Sequence, residues 1–251
     1  KTSLLKLYVR CFVEITVDQM YQIENKGHDM GFLKKFMMEN AGAVAVRRLI
    51  EKIGNVDSKN ILIFVGMGNN GGDGQVMARH LAGHNANVAV VLLGTPDEIK
   101  TEESKWNWSI LEKMKKSVKL YKFGNEYPKQ DLEIGFLLAG QVDKVDFGGN
   151  VAKPDVIIDA ILGTGVQGRN VKGPYDSAIR YINKTDCFKF AVDVPSGMNP
   201  QTGETADFFT KCDMTVTFHK MKQGIPKRKD LTGELFAEKI GIPPEAEIGI
   251  I

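Results

Sequence analysis

The densest group of potential ligand-binding residues lies between Gly66 and Gly74, where five glycines surround three polar side chains. Glycines permit left-handed backbone angles and close approach to a ligand, which suits phosphate binding by backbone amides. Asn69, Asn70 and Asp73 add oxygen atoms that a pyrophosphate alone does not need. They indicate hydroxyl recognition, cation binding or both. The alternative is a tight structural turn in which Asp73 caps the next helix.

A second glycine-rich segment runs from Asp159 to Arg169. It begins with a carboxylate, contains three glycines and ends with a guanidinium. Exposed amides and an arginine together suit a phosphate or pyrophosphate. A glycine-rich crossover in which Asp159 acts as a cap is the alternative.

The third segment, Asp193 to Gly197, follows an apolar run and contains a proline that stiffens the turn. Asp193 stands where a buried strand meets the edge of the sheet, a position suited to proton transfer. Ser196 is not expected to be a nucleophile, because the sequence lacks a GxSxG motif and a histidine in a triad context. We interpret its hydroxyl as a ligand or hydrogen-bond donor, with a purely structural role as the alternative.

Asn70, Asp159 and Ser196 supply oxygen atoms from three different strand ends. Neutral oxygens with one carboxylate suit a monovalent cation such as potassium. A GxxxxGK[ST] motif for magnesium phosphate is absent from the sequence. Zinc is disfavoured because the histidines are scattered; they are His28, His80, His84 and His219.

Strand and helix patterns alternate after residue 60, which predicts an α/β fold with parallel strands and right-handed crossovers. Ligands of such sheets bind at the carboxyl ends of the strands, where the three segments lie. The predicted strands are Ile61–Val65, Val88–Leu93, Val118–Tyr121, Val156–Asp159, Phe188–Val192, Met214–Phe218 and Leu235–Ala237. The predicted helices are Val17–Asn25, Phe32–Ile53, Gly74–Gly83, Asp97–Ser117, Asp131–Ala139 and Gly173–Asn183. We expect the two N-terminal helices to cover a sheet edge or to form a dimer contact.

Composition limits the possible classes of protein. The 251 residues are 43% hydrophobic and carry a formal net charge of +2, which gives no reason to expect binding to nucleic acid or membranes. Charged residues interrupt the apolar N-terminal stretch, so a signal peptide or membrane span is not expected there. Three cysteines without a CxxC motif make a reducing cytoplasm the simplest setting; they are Cys11, Cys187 and Cys212.

These motifs, in this order, resemble the YjeF N-terminal domain family of NAD(P)H-hydrate epimerases. The resemblance extends from about Val17 to Pro244. It rests on Met38–Gly42, Gly68–Gly74, Asp159–Gly165, Asp193–Gly197 and Thr217–Phe218 followed by Lys222 and Gly224. Several linked motifs are far more specific than the single GxGxxG match at Gly66–Gly71.

The resemblance implies a Rossmann-like three-layer sandwich with a mostly parallel central sheet, two extra N-terminal helices and a homodimeric assembly. It implies interconversion of the R and S forms of hydrated NADH or NADPH, with a bound potassium ion and coupling to an ATP- or ADP-dependent dehydratase. Asp193 would be the acid/base and also bind substrate. The other implied substrate-binding residues are Asn69, Asn70, Gly71, Gly72, Asp73, Gly163, Thr164, Gly165, Val166, Gln167, Gly168, Arg169 and Lys222; the implied potassium ligands are Asn70, Asp159 and Ser196.

Two other functions remain open at the level of sequence. A non-catalytic nucleotide-binding scaffold of the same fold is one; the presence of Asn70, Asp159 and Asp193 argues against it. An ordinary nucleotide-dependent enzyme is the other, disfavoured because Leu93–Thr95 replaces the acidic ribose-binding residue expected after the second strand. We expect residues 1–251 to form a single domain with 1–55 as a helical extension. A fused dehydratase domain would not fit in this length, and a preference between the two hydrates is not readable.

Overall fold

The structure, a computed structural model, describes residues 14–124, 131–164 and 171–251. Its centre is a seven-stranded sheet of order β3-β2-β1-β6-β7-β8-β9 in which every pair is parallel. The strands are β1 Asn60–Val65, β2 Asn87–Leu92, β3 Val118–Lys122, β6 Val156–Ala160, β7 Phe188–Val192, β8 Met214–Phe218 and β9 Glu234–Glu238; β4 Val145–Asp146 and β5 Val151–Ala152 form a separate antiparallel pair.

Helices connect the strands, as the alternating pattern predicted. They are α1 Val17–Asp29, α2 Lys34–Ile53, α3 Asn69–Gly83, α4 Glu102–Leu111, α5 Leu132–Leu138, α6 Pro174–Lys184 and α7 Lys229–Thr232, with short 3₁₀ helices at Pro96–Glu98, Ile225–Lys227 and Pro244–Glu247. Two of these termini have clear sequence causes. Thr16 and Gln19 form a capping box at the start of α1, and Pro174 occupies the first turn of α6.

The strands are apolar on both faces, and alternate residues build two separate cores. Ile61 and Ile63 pack with α2 and α3 on one face, whereas Leu62 and Phe64 pack with α5 and α6 on the other. This alternation follows from the two-residue period of a strand. It confirms the three-layer, Rossmann-like α/β arrangement predicted from the sequence.

The helix after β1 begins earlier than predicted. Residues 69–73 form the first turns of α3 rather than a loop before a helix that begins at Gly74. The glycines between Gly66 and Gly74 do not adopt positive φ, so the expectation of left-handed angles is wrong. Their role is close packing: a Cβ on Gly66 would lie 1.9 Å from the Ile161 carbonyl oxygen, and one on Gly71 would lie 2.0 Å from that of Gly66.

The charged segment Asp97–Ser117 is not one helix. It divides into the 3₁₀ helix Pro96–Glu98 and α4, which ends at Leu111. Glu98 closes a capping box with Thr95, so the chain turns there before α4 begins. The other predicted elements agree to within a few residues, and the bounds of β7 and β8 match their predictions.

The second N-terminal helix, α2, lies along the β9 edge of the sheet, one of the two positions expected for the N-terminal helices. Arg48 and Lys52 on α2 form salt bridges with Glu238 and Glu234 on β9. Among the described residues, no helix is both long enough and apolar enough to cross a membrane. Cys187 and Cys212 are free thiols, and Cys11 lies outside the described residues.

Candidate functional site

A cavity of about 330 Å³ lies at the carboxyl edge of the parallel sheet, a volume within the usual range of small-molecule sites. Its walls come from α1, α2 and the segments that follow β1, β6, β7 and β8. Because parallel strands end at one edge, residues far apart in sequence converge there. The predicted site residues that line the cavity are Asn69, Asn70, Asp73, Gly163, Thr164, Asp193 and Lys222.

The remaining predicted residues lie elsewhere. Gly71 and Gly72 do not line the cavity but pack α3 against Gly66 and the Met38 side chain. Asp159 and Ser196 are buried behind the cavity wall. The predicted substrate contacts of Gly165, Val166, Gln167, Gly168 and Arg169 lie outside the described residues.

The start of α3 provides an anion-binding surface. The first intrahelical hydrogen bond is donated by the Gly72 amide to Gly68, so the amides of Asn69, Asn70 and Gly71 have no acceptor within the helix. The positive end of the helix dipole is at the same place. Asn69, Asn70 and Gly68 line the cavity. A phosphate or pyrophosphate is therefore the ligand group that this end of the cavity can accept.

Asp193 directly follows β7 and is held in a constrained conformation. Its φ is +64°, in the left-handed region that favours glycine. Oδ1 of Asp193 accepts hydrogen bonds from Thr217 Oγ1 at 2.8 Å and from Lys222 Nζ at 2.9 Å. Oδ2 receives none from the residues that the structure describes. The carboxylate is thus fixed through one oxygen and has the other available for a ligand or a proton.

Lys222 is 2% exposed and donates three hydrogen bonds from Nζ, to Asp193, to Thr217 Oγ1 at 2.9 Å and to the Phe218 carbonyl at 3.0 Å. An ammonium group has three protons, so all of them are engaged. The contact of Lys222 with a substrate phosphate stays a prediction. To make it, Nζ would have to give up one of these three hydrogen bonds. In the structure, Lys222 orients Asp193 and compensates its charge.

Asp159 organises the loop beneath the cavity. Its carboxylate accepts hydrogen bonds from Ser196 Oγ at 2.5 Å, Ser196 N at 2.8 Å, Thr210 Oγ1 at 2.5 Å and the Ile161 amide at 3.2 Å. Ser196 Oγ in turn accepts from the Leu162 amide at 2.9 Å. Burial raises the pKa of Asp159, and these hydrogen bonds oppose that effect. No salt bridge to Asp159 occurs in the part of the chain that the structure describes.

Asn70 is one of several buried polar side chains with unpartnered atoms among the described residues, and it lines the cavity. Neither its amide oxygen nor its nitrogen has a partner among the described residues. Gly163 packs directly against Asn70, so an added Cβ would lie 3.0 Å from the Asn70 Cβ. A buried amide without partners is costly unless a ligand satisfies it. This observation fits an oxygen-coordinated cation or a polar substrate group beside the loop that Ser196 holds.

The residues assigned to potassium therefore suit it chemically. Asn70 offers an unpartnered oxygen, and Asp159 is a buried carboxylate without a cationic partner. No group of three His, Cys, Asp or Glu side chains that would hold a metal occurs among the described residues. The predicted potassium ligands do not form such a group because Asn70 and Ser196 are neutral.

Glu24 is the site residue that sequence reasoning missed. It lines the cavity from α1, together with Asp193 and Lys222. The pKa of Glu24 is raised to about 7, chiefly by burial; the Lys222 charge opposes the rise and the Asp193 charge contributes to it. Its spacing in the sequence could have indicated this position. Glu24 lies four residues after buried Met20 and three before buried Gly27, so it shares their face of the helix.

Asp73 is a third carboxylate on the cavity wall. Burial raises its pKa well above the ordinary value, and the charges of Asp193 and Glu24 add to the rise. Lys222 opposes it. The cavity thus contains three interacting carboxylates around one buried ammonium, an arrangement that favours a proton on at least one of them.

A doubly wound parallel sheet with free amides at a helix start and acidic groups at its carboxyl edge defines a Rossmann-like α/β protein. A solved yeast protein, ynu0, has this fold: the TM-score is 0.69 at 21% identity, over 88% of this chain and 86% of that one. The chain belongs to the family described as YjeF-related protein N-terminus, whose model matches residues 34–224.

Curated relatives are similar over most of the chain. One from Nitrosopumilus maritimus, called NAD(P)H-hydrate epimerase, is 73% identical over 95% of this chain and its own full length. One of the same name from Cenarchaeum symbiosum is 56% identical with the same coverage. A Methanothermobacter thermautotrophicus protein called bifunctional NAD(P)H-hydrate repair enzyme Nnr is 44% identical over 87% of this chain, which spans 38% of that protein.

Proposed function

We propose that this protein is an isomerase that interconverts the R and S epimers of hydrated NADH and NADPH. The observation that carries the proposal is the Asp193 carboxylate, held through Oδ1 by Lys222 and Thr217 and free at Oδ2, in a cavity that also contains an anion-binding helix start. The names of the two most similar curated relatives described above support the same activity.

The substrate would bind with its pyrophosphate at the start of α3 and beside Gly163 and Thr164. This places phosphate oxygens at amides that have no helical acceptor. The hydrated nicotinamide ring would then lie near Asp193, deeper in the same cavity. Because the site must recognise a damaged cofactor as its substrate, hydride transfer is not part of the reaction.

The reaction changes the configuration of the carbon that carries the hydroxyl, next to the ring nitrogen. Loss of that hydroxyl as water leaves a cation stabilised by the nitrogen lone pair, and water can add again from the other face. Ring opening and reclosure is a second route. In either one, a group must move a proton at the hydroxyl oxygen, and Asp193 would do so through Oδ2, since Oδ1 is held by Lys222.

Potassium bound by Asn70, Asp159 and Ser196 would supply positive charge beside the 161–164 loop and compensate the buried Asp159 carboxylate. Asn70 would gain the partner that its amide oxygen lacks. Ser196 would link this site to the substrate loop through the Leu162 amide. The ion would thereby stabilise the shape of the substrate-binding loop.

The S epimer would be consumed by an ATP- or ADP-dependent dehydratase, as the family resemblance implies; the relatives named bifunctional NAD(P)H-hydrate repair enzymes support a coupling to a second repair activity. We also propose a homodimer. Large apolar side chains on or beside α1 and α2 are exposed, which is common at oligomer contacts; they are Tyr21, Met30 and Phe36. Light scattering during size exclusion tests the dimer, and a monomer at all concentrations would contradict it.

The central experiment follows S-epimer formation from purified R-NADH hydrate by chromatography, with the spontaneous rate subtracted. It compares the protein in potassium and in sodium, and wild type with Asp193→Asn. We expect acceleration in potassium that is reduced about 100-fold or more in the variant. If folded wild-type protein in potassium gives no acceleration, the non-catalytic scaffold function is the better description.

A further inference from the structure

The α1 wall of the cavity contributes a carboxylate that the reaction as described so far does not use. We propose that Glu24 is a second catalytic proton-transfer residue, which serves the face of the hydrated ring opposite to the face served by Asp193. This inference rests on the proposed epimerase function. It assigns the two faces to two carboxylates.

The position of Glu24 is set by contacts that tie α1 to the rest of the site. The Ile15 amide donates to the Met221 carbonyl at 2.8 Å, which joins the start of α1 to the segment that carries Lys222. The Tyr21 hydroxyl lies 3.3 Å from Thr164 Oγ1, on the loop after β6. Glu24 therefore reaches the cavity from a helix, whereas Asp193 reaches it from the sheet edge.

Inversion by loss and re-addition of water, the route assumed here, requires proton transfer on both faces of the ring. The hydroxyl leaves from one face, and the incoming water attacks the other. A single carboxylate fixed at one edge, as Asp193 is by Lys222 and Thr217, can reach only one of these oxygen atoms without rotation of the ring. A second group on a different wall removes the need for rotation.

The surroundings of Glu24 favour the protonated carboxyl that a proton donor needs. The pKa of Glu24 is raised to about 7, chiefly by burial, with Asp193 raising it and Lys222 and Lys34 lowering it; Asp73 also interacts with it. No ion-pair partner of Glu24 lies within the described residues. Asp193, in contrast, is paired with Lys222. Two carboxylates in different environments can act as acid and base at one pH.

The step balances as follows when Glu24 begins protonated. Its proton passes to the departing hydroxyl, the carbon–oxygen bond breaks with its electron pair on oxygen, and water is released while the nitrogen lone pair forms a carbon–nitrogen double bond. Water then adds from the other face, its lone pair forms the new bond, and its proton passes to Asp193 Oδ2. The reverse reaction uses the two carboxylates in exchanged roles, and proton exchange with solvent resets them.

The test follows ¹⁸O incorporation from labelled water into each purified epimer, with parallel measurement of inversion. Wild type should label both epimers. Glu24→Gln should slow inversion about 100-fold or more. One of the two epimers should still exchange its hydroxyl oxygen with labelled water without a change of configuration. Asp193→Asn should label only the opposite epimer. Asp29→Asn, which removes an exposed carboxylate from the same helix, should behave as wild type.

Several outcomes would overturn the inference. One is inversion by wild type without ¹⁸O incorporation; another is inversion by Glu24→Gln at the wild-type rate. Equal loss of labelling in both epimers by folded Glu24→Gln would show a structural role. Single-epimer labelling by Asp73→Asn instead would assign the second face to Asp73. If Glu24→Gln does not fold, Glu24→Asp replaces it and should retain part of the inversion. Absence of any wild-type acceleration would instead overturn the proposed function itself.

Discussion

Nζ of Lys222 lies 2.9 Å from Oδ1 of Asp193, and the two side chains are 2% and 12% exposed at the carboxyl edge of the sheet. Both charges have lost most of their hydration, so each depends on the other. Thr217 and the Phe218 carbonyl complete the set of contacts to Lys222. The pair therefore has both a structural role and a chemical role.

Removing the ammonium group should destabilise the fold as well as the reaction. Lys222→Met leaves Asp193 buried without its counter-charge, and we expect a loss of about 3–5 kcal/mol in the free energy of unfolding. Urea unfolding measures it. Lys227→Met, which removes an exposed lysine nearby in sequence, should change stability by less than about 0.5 kcal/mol. Equal effects of the two substitutions would rule out this role of the ion pair.

The raised pKa of Glu24 makes stability depend on pH. The folded state holds this proton more tightly than the unfolded chain, whose pKa is near 4.5, so the fold is favoured below that pH and loses stability as pH rises towards 7. Glu24→Gln removes the loss, which is on the order of 3 kcal/mol at most. Relative to wild type, the variant should therefore gain stability between pH 5 and pH 8 in urea unfolding. Asp29→Asn should show no such gain, and a pH-independent difference for Glu24→Gln would contradict the assignment.

Close packing of α3 should make Gly71 intolerant of a side chain. In Gly71→Ala the new Cβ would lie 2.0 Å from the Gly66 carbonyl oxygen, so backbone must move. We expect a loss of more than about 3 kcal/mol, or no folded protein. Gly83→Ala on the same helix meets open space and should be neutral or stabilising by up to about 1 kcal/mol. Thermal unfolding of both variants decides the matter, and a mild effect at Gly71 would argue against backbone contact.

The unpartnered amide of Asn70 should be costly in the absence of a ligand. Asn70→Leu removes it, so we expect equal or higher melting temperature in sodium and loss of any potassium-dependent rise seen in wild type. Gln75→Met is the matched control, since Gln75 is also buried on α3 and has an unpartnered oxygen. It should retain the potassium effect. A potassium response that survives in Asn70→Leu would place the ion elsewhere.

Most of the sheet was predictable because its strands are short apolar runs bounded by turn residues. Phe188–Val192 and Met214–Phe218 match their predicted bounds for this reason. The start of α3 was not predictable from local preference, since glycine disfavours helix interiors. Contact with Ile161 and Gly66 selects glycine there, and only the folded chain reveals it.

The candidate site was predictable in the segments that directly follow strands, including the first turns of α3, and not on the N-terminal helix α1. Asn70, Asp73 and Asp193 converge because parallel strands share one edge. Glu24 and Thr210 required the tertiary structure: α1 folds over the cavity, and Thr210 reaches Asp159 across 51 residues of sequence. Spacing within a single segment contains no information on such contacts.

The glycines at Gly66 and Gly71 place main chain against main chain at the start of α3. At these two contacts backbone atoms meet backbone atoms, so the position of the free amides of α3 is fixed mainly by the backbone of β1 and the 161–164 loop. The α1 wall differs, because side-chain contacts such as Tyr21–Thr164 attach it to the loop after β6. We therefore expect ligand entry to displace α1 and to leave the start of α3, the proposed phosphate-binding end, in place.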